Sequence, residues 1–390
     1  MNIQSLVLSA ERYTKQHLSR YIEELCALCA IDSGSYYKPG LDTMAAWLAA
    51  RMRDLKMEVT ISEHERWGND LFGVLHGEGG DNILLVGHTD TVYPVGTAAA
   101  RPVQVEGDTI YGPGVCDMKG CILSALYAIE ALLATDYRSF GELRFLCVSD
   151  EEIHDRHSKS LLQQACQDCQ GALVLEAARA NGDIVSARKG NTWYTLTARG
   201  HSAHAGVEPE KGRNAIVELA HQTLQFSSLN GWREGVTINT GIVSGGTATN
   251  VVPDCAEVHF DLRFLHAQDR IATEQCWWKM MQQQRVLGVE LELVTAPDFR
   301  EPMECSSESL KLATRAQEIA SWLGFSVTHT STGGTSDANY VSGYGIPVLD
   351  GLGPIGGLDH SPDEYLLASS VAPRTGLLVG LIMDIGAHAV

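Results

Sequence analysis

Residues 82–90 read NILLVGHTD. Four apolar side chains and a glycine run directly into a histidine, a threonine and an aspartate. A run this short and this apolar is the mark of a strand covered on both faces. Its polar end is ambiguous when read alone. A loop that needs a polar turn accepts these residues, and so does a metal ion that needs a ligand.

The neighbouring segments repeat the pattern. LDTMAAWLAARMRDL (41–55) and GCILSALYAIEALLAT (120–135) have helical spacing, whereas MEVTISE (57–63), DLFGVLHG (70–77), ELRFLCVSD (142–150) and GALVLEAA (171–178) read as strands. Buried strands alternating with helices predict an α/β fold, a mixed, mostly parallel sheet flanked by helices. Ligands in such sheets gather at the carboxyl ends of the strands.

The pattern changes near residue 188. NTWYTLTARG (191–200) alternates with period two, and a β-α-β-β-α-β order follows through VELELVTA (289–296). That order predicts an inserted α+β domain with a four-stranded sheet and two helices. α/β character returns in SLKLATRAQEIASWLG (309–324) and APRTGLLVGLIMDIGA (372–387). The expected organisation is a catalytic domain in two parts, 1–187 and 300–390, interrupted by a domain at 188–299.

Composition excludes some classes. The chain has 390 residues, 44% hydrophobic and 20% charged, with a formal net charge of −19. So acidic a surface argues against nucleic acid or an anionic membrane as partner. The first thirty residues alternate at helical spacing and read as one amphipathic helix, not a signal peptide. No apolar run reaches the roughly 18 residues of a membrane span. Ten cysteines without a secretory signal point to reduced thiols and a cytoplasmic setting. The CxxC pairs Cys26/Cys29 and Cys166/Cys169 sit in helical patterns and read as helical cysteines, not a zinc site.

Potential metal ligands end each strand of the first domain: His88 and Asp90, then Asp150, Glu151 and Glu152, then Glu176. The Gly-punctuated loop YGPGVCDMKG carries Asp117, and GGLDHSPDEY carries His360. Two histidines with several carboxylates suit a pair of borderline divalent cations, zinc first. On an extended chain, His88 and Asp90 share one side, so Asp90 can orient the imidazole. Within DEE, adjacent side chains diverge. One glutamate can bind metal while its neighbour faces the water to be activated. Taken singly, HTD is a polar loop, DEE a solvated helix start and Glu176 a surface ion-pair partner. Together at strand ends they form a constellation.

With those residues placed, the chain resembles the dimetallic zinc peptidases and deacylases of the carboxypeptidase G, acetylornithine deacetylase and aminoacylase group. The motifs are GHTDTVYPVGT, VEGDTIYGPGVCDMKG, SDEE, SAHAGVEPEKGRNAI, GGTATNVVPDCAEVHFDLR, GGTSDANY and HSPDEY, in that order. The carboxypeptidase G branch is nearest, chiefly through GTAAARPVQVEGDTIYGPG. The resemblance implies that Asp117 bridges two Zn2+ ions, with Co2+ or Mn2+ as possible substitutes. His88 and Glu176 would complete one site, Glu152 and His360 the other. Glu151 would be the general base, and the Asp117–Met118 peptide would be cis. The inserted domain would act as lid and homodimer interface. There His204 would stabilise the oxyanion in the partner's site, and Asn250 and Arg263 would bind substrate. His154, His157 and His201 have no such support and read as ordinary polar residues.

The implied activity is hydrolysis of the amide bond to a C-terminal amino acid, glutamate-like in preference, with Arg300 and Lys189 as candidate cations for an acidic side chain. The alternatives are an N-deacylase of the acetylornithine type and a metal-binding homologue without turnover. Three departures stand out. Cys121 replaces a glycine, His154-Asp155 replaces Gly-Ser after the double glutamate, and Glu176 replaces an aspartate.

Overall fold

The computed structural model describes residues 2–297 and 299–387. They divide into two units. One comprises 1–186, 305–331 and 336–390, and the other 187–304 with 332–335. The second unit is larger than the expected 188–299. Arg188 N–H bonds Met303 O at 3.0 Å, Asn191 and Arg300 pair as a β-bridge, and Lys189 N–H bonds Thr332 O at 3.0 Å. Backbone pairing ties both extra segments to the strand region at 188–191.

In the first unit, a six-stranded sheet runs in the spatial order Glu58–Ser62, Asp70–His76, Glu142–Val148, Asn82–His88, Cys169–Val174 and Val348–Leu349. The first two pairings are antiparallel and the last three parallel. Ile83, Leu84, Leu85 and Val86 are fully buried, as a strand covered on both faces requires. The helix Lys119–Ala134 is buried along most of its length. The parallel register sets His88 beside Val148, so the two ligand-bearing loops leave the sheet at one edge.

The helix Ala368–Gly386 is long and apolar enough to cross a membrane by length and composition, which the reading of apolar runs missed. Of its most apolar window, 83% is buried within the protein, so it is a core helix. The amino-terminal segment also differs from the sequence expectation. It forms two helices, Ile3–Gln16 and Leu18–Cys29, broken at His17, whose ring Nδ1 lies 2.8 Å from Tyr13 O. Cys169 opens a strand and is not helical, because the helix of that segment stops at Ala165.

The second unit has the expected β-α-β-β-α-β order. Its antiparallel sheet runs Thr237–Gly245, Cys255–Phe264, Gly190–Arg199, Glu290–Thr295. Its two helices are Ala215–Ser227 and Ala267–Met281. Trp277, fully buried, stacks on Phe226 at 4.7 Å and meets Tyr194 edge-on at 4.9 Å. Such a cluster gives this unit a core of its own.

Candidate metal centre

His88 is the last residue of its strand, and Glu176 lies two residues beyond Val174 on the neighbouring parallel strand. The adjacent strand ends point both side chains at Asp117. His88 Nε2 is 3.0 Å from Asp117 Oδ1 and 3.7 Å from Glu176 Oε1.

His360 comes from far along the chain. A small antiparallel sheet brings it in: Tyr365–Leu367 pairs with Thr109–Tyr111 on one side and Gly356–Gly357 on the other. The connection from Gly356–Gly357 to Tyr365–Leu367 carries His360, and the strand Thr109–Tyr111 leads into the Asp117 loop. His360 Nε2 therefore sits 3.2 Å from Asp117 Oδ2 and 3.3 Å from Glu152 Oε1. Each oxygen of Asp117 faces a different histidine. The two groups, His88–Asp117–Glu176 and Asp117–Glu152–His360, each have donor atoms within 4.8 Å of one another. The Asp117–Met118 peptide is cis.

Asp90 is fully buried and holds two parts of the site at once. His88 Nδ1 lies 3.0 Å from the Asp90 main-chain oxygen and 3.3 Å from its Oδ1. The carboxylate also accepts the Glu151 and Glu152 amides, at 3.2 and 3.1 Å, and the Ser35 hydroxyl at 2.7 Å. These amide bonds draw Glu151–Ile153 into a single 3-10 turn. The DEE side chains thus diverge from a 3-10 turn and not from an extended strand end. His154 and Asp155, the substituted Gly-Ser pair, follow with φ of 70° and 50°. They reverse the chain in the left-handed region where glycine is favoured. Cys121 lies in the first turn of a helix, not in a loop, and its thiol faces Cys116 O at 3.2 Å.

The electrostatics fit a cation. Burial pushes Glu152 up to about 8, and Asp117 adds to the shift. Burial and Asp117 likewise push Glu176 well above its ordinary value. Hydrogen bonds to Asp117 and Glu152 push His360 up to about 11. Burial opposes ionisation of Asp117, yet His360 and His88 hold it well below the usual carboxylate range. Glu151 is buried and close enough to add its charge to the shifts of Asp90, Glu152 and Glu176. Carboxylates outnumber cationic groups around Asp117, an arrangement that favours a bound cation. Imidazole and carboxylate donors of this kind match zinc or a similar divalent ion. Beside Glu152 a cleft of about 520 Å³ is lined by Tyr36, Tyr37, Val92, Tyr93 and Val95.

The remaining expected residues lie in the second unit. His204 pairs with Val251 in a β-bridge, and Ala205 N–H bonds Asn250 O at 3.0 Å, so His204 and Asn250 lie on adjoining backbone. Arg263 donates to Asp261 at 3.1 Å and to Gly333 O at 3.0 Å. Around the same segment, Arg188 donates to Gly334 O and Arg300 to Thr335 Oγ1, each at 3.0 Å. Burial and Arg263 lower the pKa of Lys189. The GGTS stretch therefore collects several cations.

Sequence reasoning missed Glu364. Fully buried, it accepts the amides of Gly114, Cys116 and Asp117 at 2.9, 2.8 and 3.0 Å and the Tyr93 hydroxyl at 2.7 Å. It fixes the loop that presents Asp117. Its signal lay in HSPDEY, where an acidic residue closely follows the candidate ligand His360.

A model of the family described as Peptidase family M20/M25/M40 matches residues 84–384. Carboxypeptidase G2 of Pseudomonas sp. (strain RS-16) is 29% identical over 374 residues, 94% of this chain and 89% of that protein. Succinyl-diaminopimelate desuccinylase of Stenotrophomonas maltophilia (strain R551-3) is 27% identical over 384 residues, covering 94% and 99%. Among solved structures, aminopeptidase PepT from Bacillus cereus ATCC 10987 superposes with a TM-score of 0.83 at 23% identity, covering 94% of this chain and 98% of that one. That likeness establishes the shared fold. With the family model spanning most of its length, the chain belongs to peptidase family M20/M25/M40 and is an amide-bond hydrolase of that family.

Proposed function

We propose that the chain is a dizinc hydrolase that releases a C-terminal amino acid from an N-acyl or peptidyl substrate. The observation that carries this reading is Asp117, with one carboxylate oxygen toward His88 and the other toward His360. His88, Asp117 and Glu176 would hold one Zn2+, and Asp117, Glu152 and His360 the other. Bound ions of this kind lower the pKa of a water and polarise the scissile carbonyl.

The chain's own residues do the rest. Glu151, held by Asp90 through its amide, takes the proton of the attacking water and returns it to the leaving amine. Asp90 keeps the His88 ring in place. His204 stabilises the developing oxyanion. Arg263 binds the terminal carboxylate of the substrate and Asn250 orients it, while Lys189 and Arg300 favour an acidic side chain. Tyr36 and Val95 offer an apolar wall to the acyl portion.

We also assign the second unit as lid and homodimer interface. Its sheet ends at Thr237–Gly245, where Ile242 and Val243 are 61% and 63% exposed. A long apolar edge strand needs a cover. The buried thiols support a cytoplasmic setting.

The desuccinylase relative, matched over 99% of its length, favours a second reading, N-deacylation of an amino acid of the acetylornithine type or of a related diamino acid. Hydrolysis of N-acylglutamates, acetylornithine and dipeptides by one preparation separates the two. The hydrolytic reading itself fails if Glu151→Gln, with its metal retained, turns over at the wild-type rate.

A further inference from the structure

Among the described residues, a third set of side chains converges outside the pair of groups that share Asp117. His64 Nε2 lies 2.9 Å from Asp70 Oδ2, and His157 Nε2 lies 3.5 Å from Asp70 Oδ1. One donor atom from each residue lies within 4.8 Å of the other two. Tetrahedral zinc, with bonds of about 2.0–2.1 Å, separates its ligand atoms by about 3.3 Å; here the two imidazoles approach different oxygens of Asp70, at 2.9 and 3.5 Å.

The surroundings have the form of a built site. His157 Nδ1 is 2.8 Å from Asp150 Oδ2, and its Nε2 faces both the Ser149 hydroxyl at 3.3 Å and Asp70 Oδ1 at 3.5 Å. A carboxylate behind a ligating imidazole fixes its tautomer and orientation. Asp70 is 1% exposed, and its Oδ1 accepts both the amide and the hydroxyl of Ser149, each at 2.9 Å. Trp67 stacks on His157 at 5.8 Å and shields that ring.

The other side is open. His64, a quarter exposed, borders a polar cleft of about 480 Å³ with Asp42, Glu63 and Glu65. The one cation there, Lys38, is engaged by Asp42 at 3.0 Å and Asn69 at 3.2 Å. The cleft thus offers a net negative entry path and room for a water as fourth ligand.

We propose that His64, Asp70 and His157 form a third metal site, for a borderline divalent cation such as Zn2+, separate from the hydrolytic pair. Its place in the fold gives it a task. Ser149 and Asp150 immediately precede Glu151 and Glu152. An ion drawing Asp70 and His157 together would clamp the end of the strand that presents the base. This role, unlike the binding itself, rests on the function proposed above.

The test is zinc content. Wild type, His64→Ala and Asp117→Asn are equilibrated with micromolar zinc, freed of unbound metal and measured by inductively coupled plasma mass spectrometry. The expected stoichiometries are three, two and one ions per chain. Native circular dichroism is required of each variant; His64→Asn replaces His64→Ala if that fails, and the double variant Glu176→Gln/Glu152→Gln, which touches both ions of the pair, replaces Asp117→Asn with the same expected count. Two ions in wild type, both lost with Asp117, would overturn the third site and leave the hydrolytic pair standing. Equal zinc in His64→Ala and wild type would also overturn it. A single wild-type ion, lost with His64 and kept without Asp117, would support the third site and sink the pair.

Discussion

Removing Glu364 tests how the Asp117 loop is held. In Glu364→Ala, the amides of Gly114, Cys116 and Asp117 lose their acceptor, whereas Tyr93 keeps Ser361 O at 2.9 Å. Each buried donor left unmet costs about 1–3 kcal/mol. Three such donors, partly relieved by water entering the space, give a loss of roughly 3–5 kcal/mol. Glu364→Gln keeps one carbonyl oxygen for Cys116 and Asp117 but turns an NH2 toward the Gly114 N–H. One unmet donor sets its cost at about 1–3 kcal/mol. At about 2 °C per kcal/mol for a unit of this size, Tm should fall by roughly 6–10 °C in the alanine variant and 2–6 °C in the glutamine variant. The displaced Asp117 should also weaken zinc binding by roughly tenfold to a hundredfold, the usual effect of losing an outer-shell partner. Thermal unfolding followed by circular dichroism reads the first quantity and competition with a chromophoric chelator the second. An alanine variant that melts within a degree of wild type and holds zinc as tightly would refute the reasoning.

Other perturbations give equally direct readings. Chelation should abolish hydrolysis, and added zinc should restore it. Glu130, bonded to Arg20 at 2.5 Å and Arg51 at 2.8 Å, is held below its ordinary pKa; burial opposes this, but the arginines, Arg51 foremost, outweigh it. Because the folded pKa is depressed, its contribution is full above the unfolded value of about 4.3 and is lost as pH falls through the folded one. Glu130→Gln should therefore cost about 1–2 kcal/mol at pH 7, and denaturant titrations should show that gap closing at acid pH. At Gly353 an added Cβ would meet Cys121 Sγ at 2.3 Å and Cys121 Cβ at 2.9 Å. Gly353→Ala should cost about 1–3 kcal/mol, and Cys121→Gly in the same chain should recover part of it in thermal unfolding. Tyr36→Ala should raise KM for bulky aromatic acyl groups and leave acetyl substrates nearly unaffected; equal effects on both would remove Tyr36 from the acyl wall.

The legible part of the fold was the part written in local patterns. Ile83–Val86 announced a buried strand, and the period-two run from Asn191 announced a half-exposed one. The candidate ligand residues stood out because strand ends punctuate those patterns. What escaped notice depends on distant partners. The 3-10 turn at Glu151 follows from Asp90, sixty-one residues earlier in the chain, and nothing in DEE itself encodes it. Glu364 acts on backbone amides, which carry no side-chain signature. His157 looked ordinary because its partners, His64 and Asp70, lie in a segment that carries no family motif. The second compact unit runs on to Glu304, an extension carried by β-bridges that leave no periodicity to read.

The strand Tyr365–Leu367 and the connection before it have a further consequence, in time instead of space. A chain still emerging from the ribosome and ending before Gly356 already contains His88, Asp117 and Glu176. It lacks both the second imidazole and the carboxylate that steadies the loop around Asp117. The complete set of candidate ligands cannot exist until the tail is made, so on the function proposed above a part-made chain is inactive.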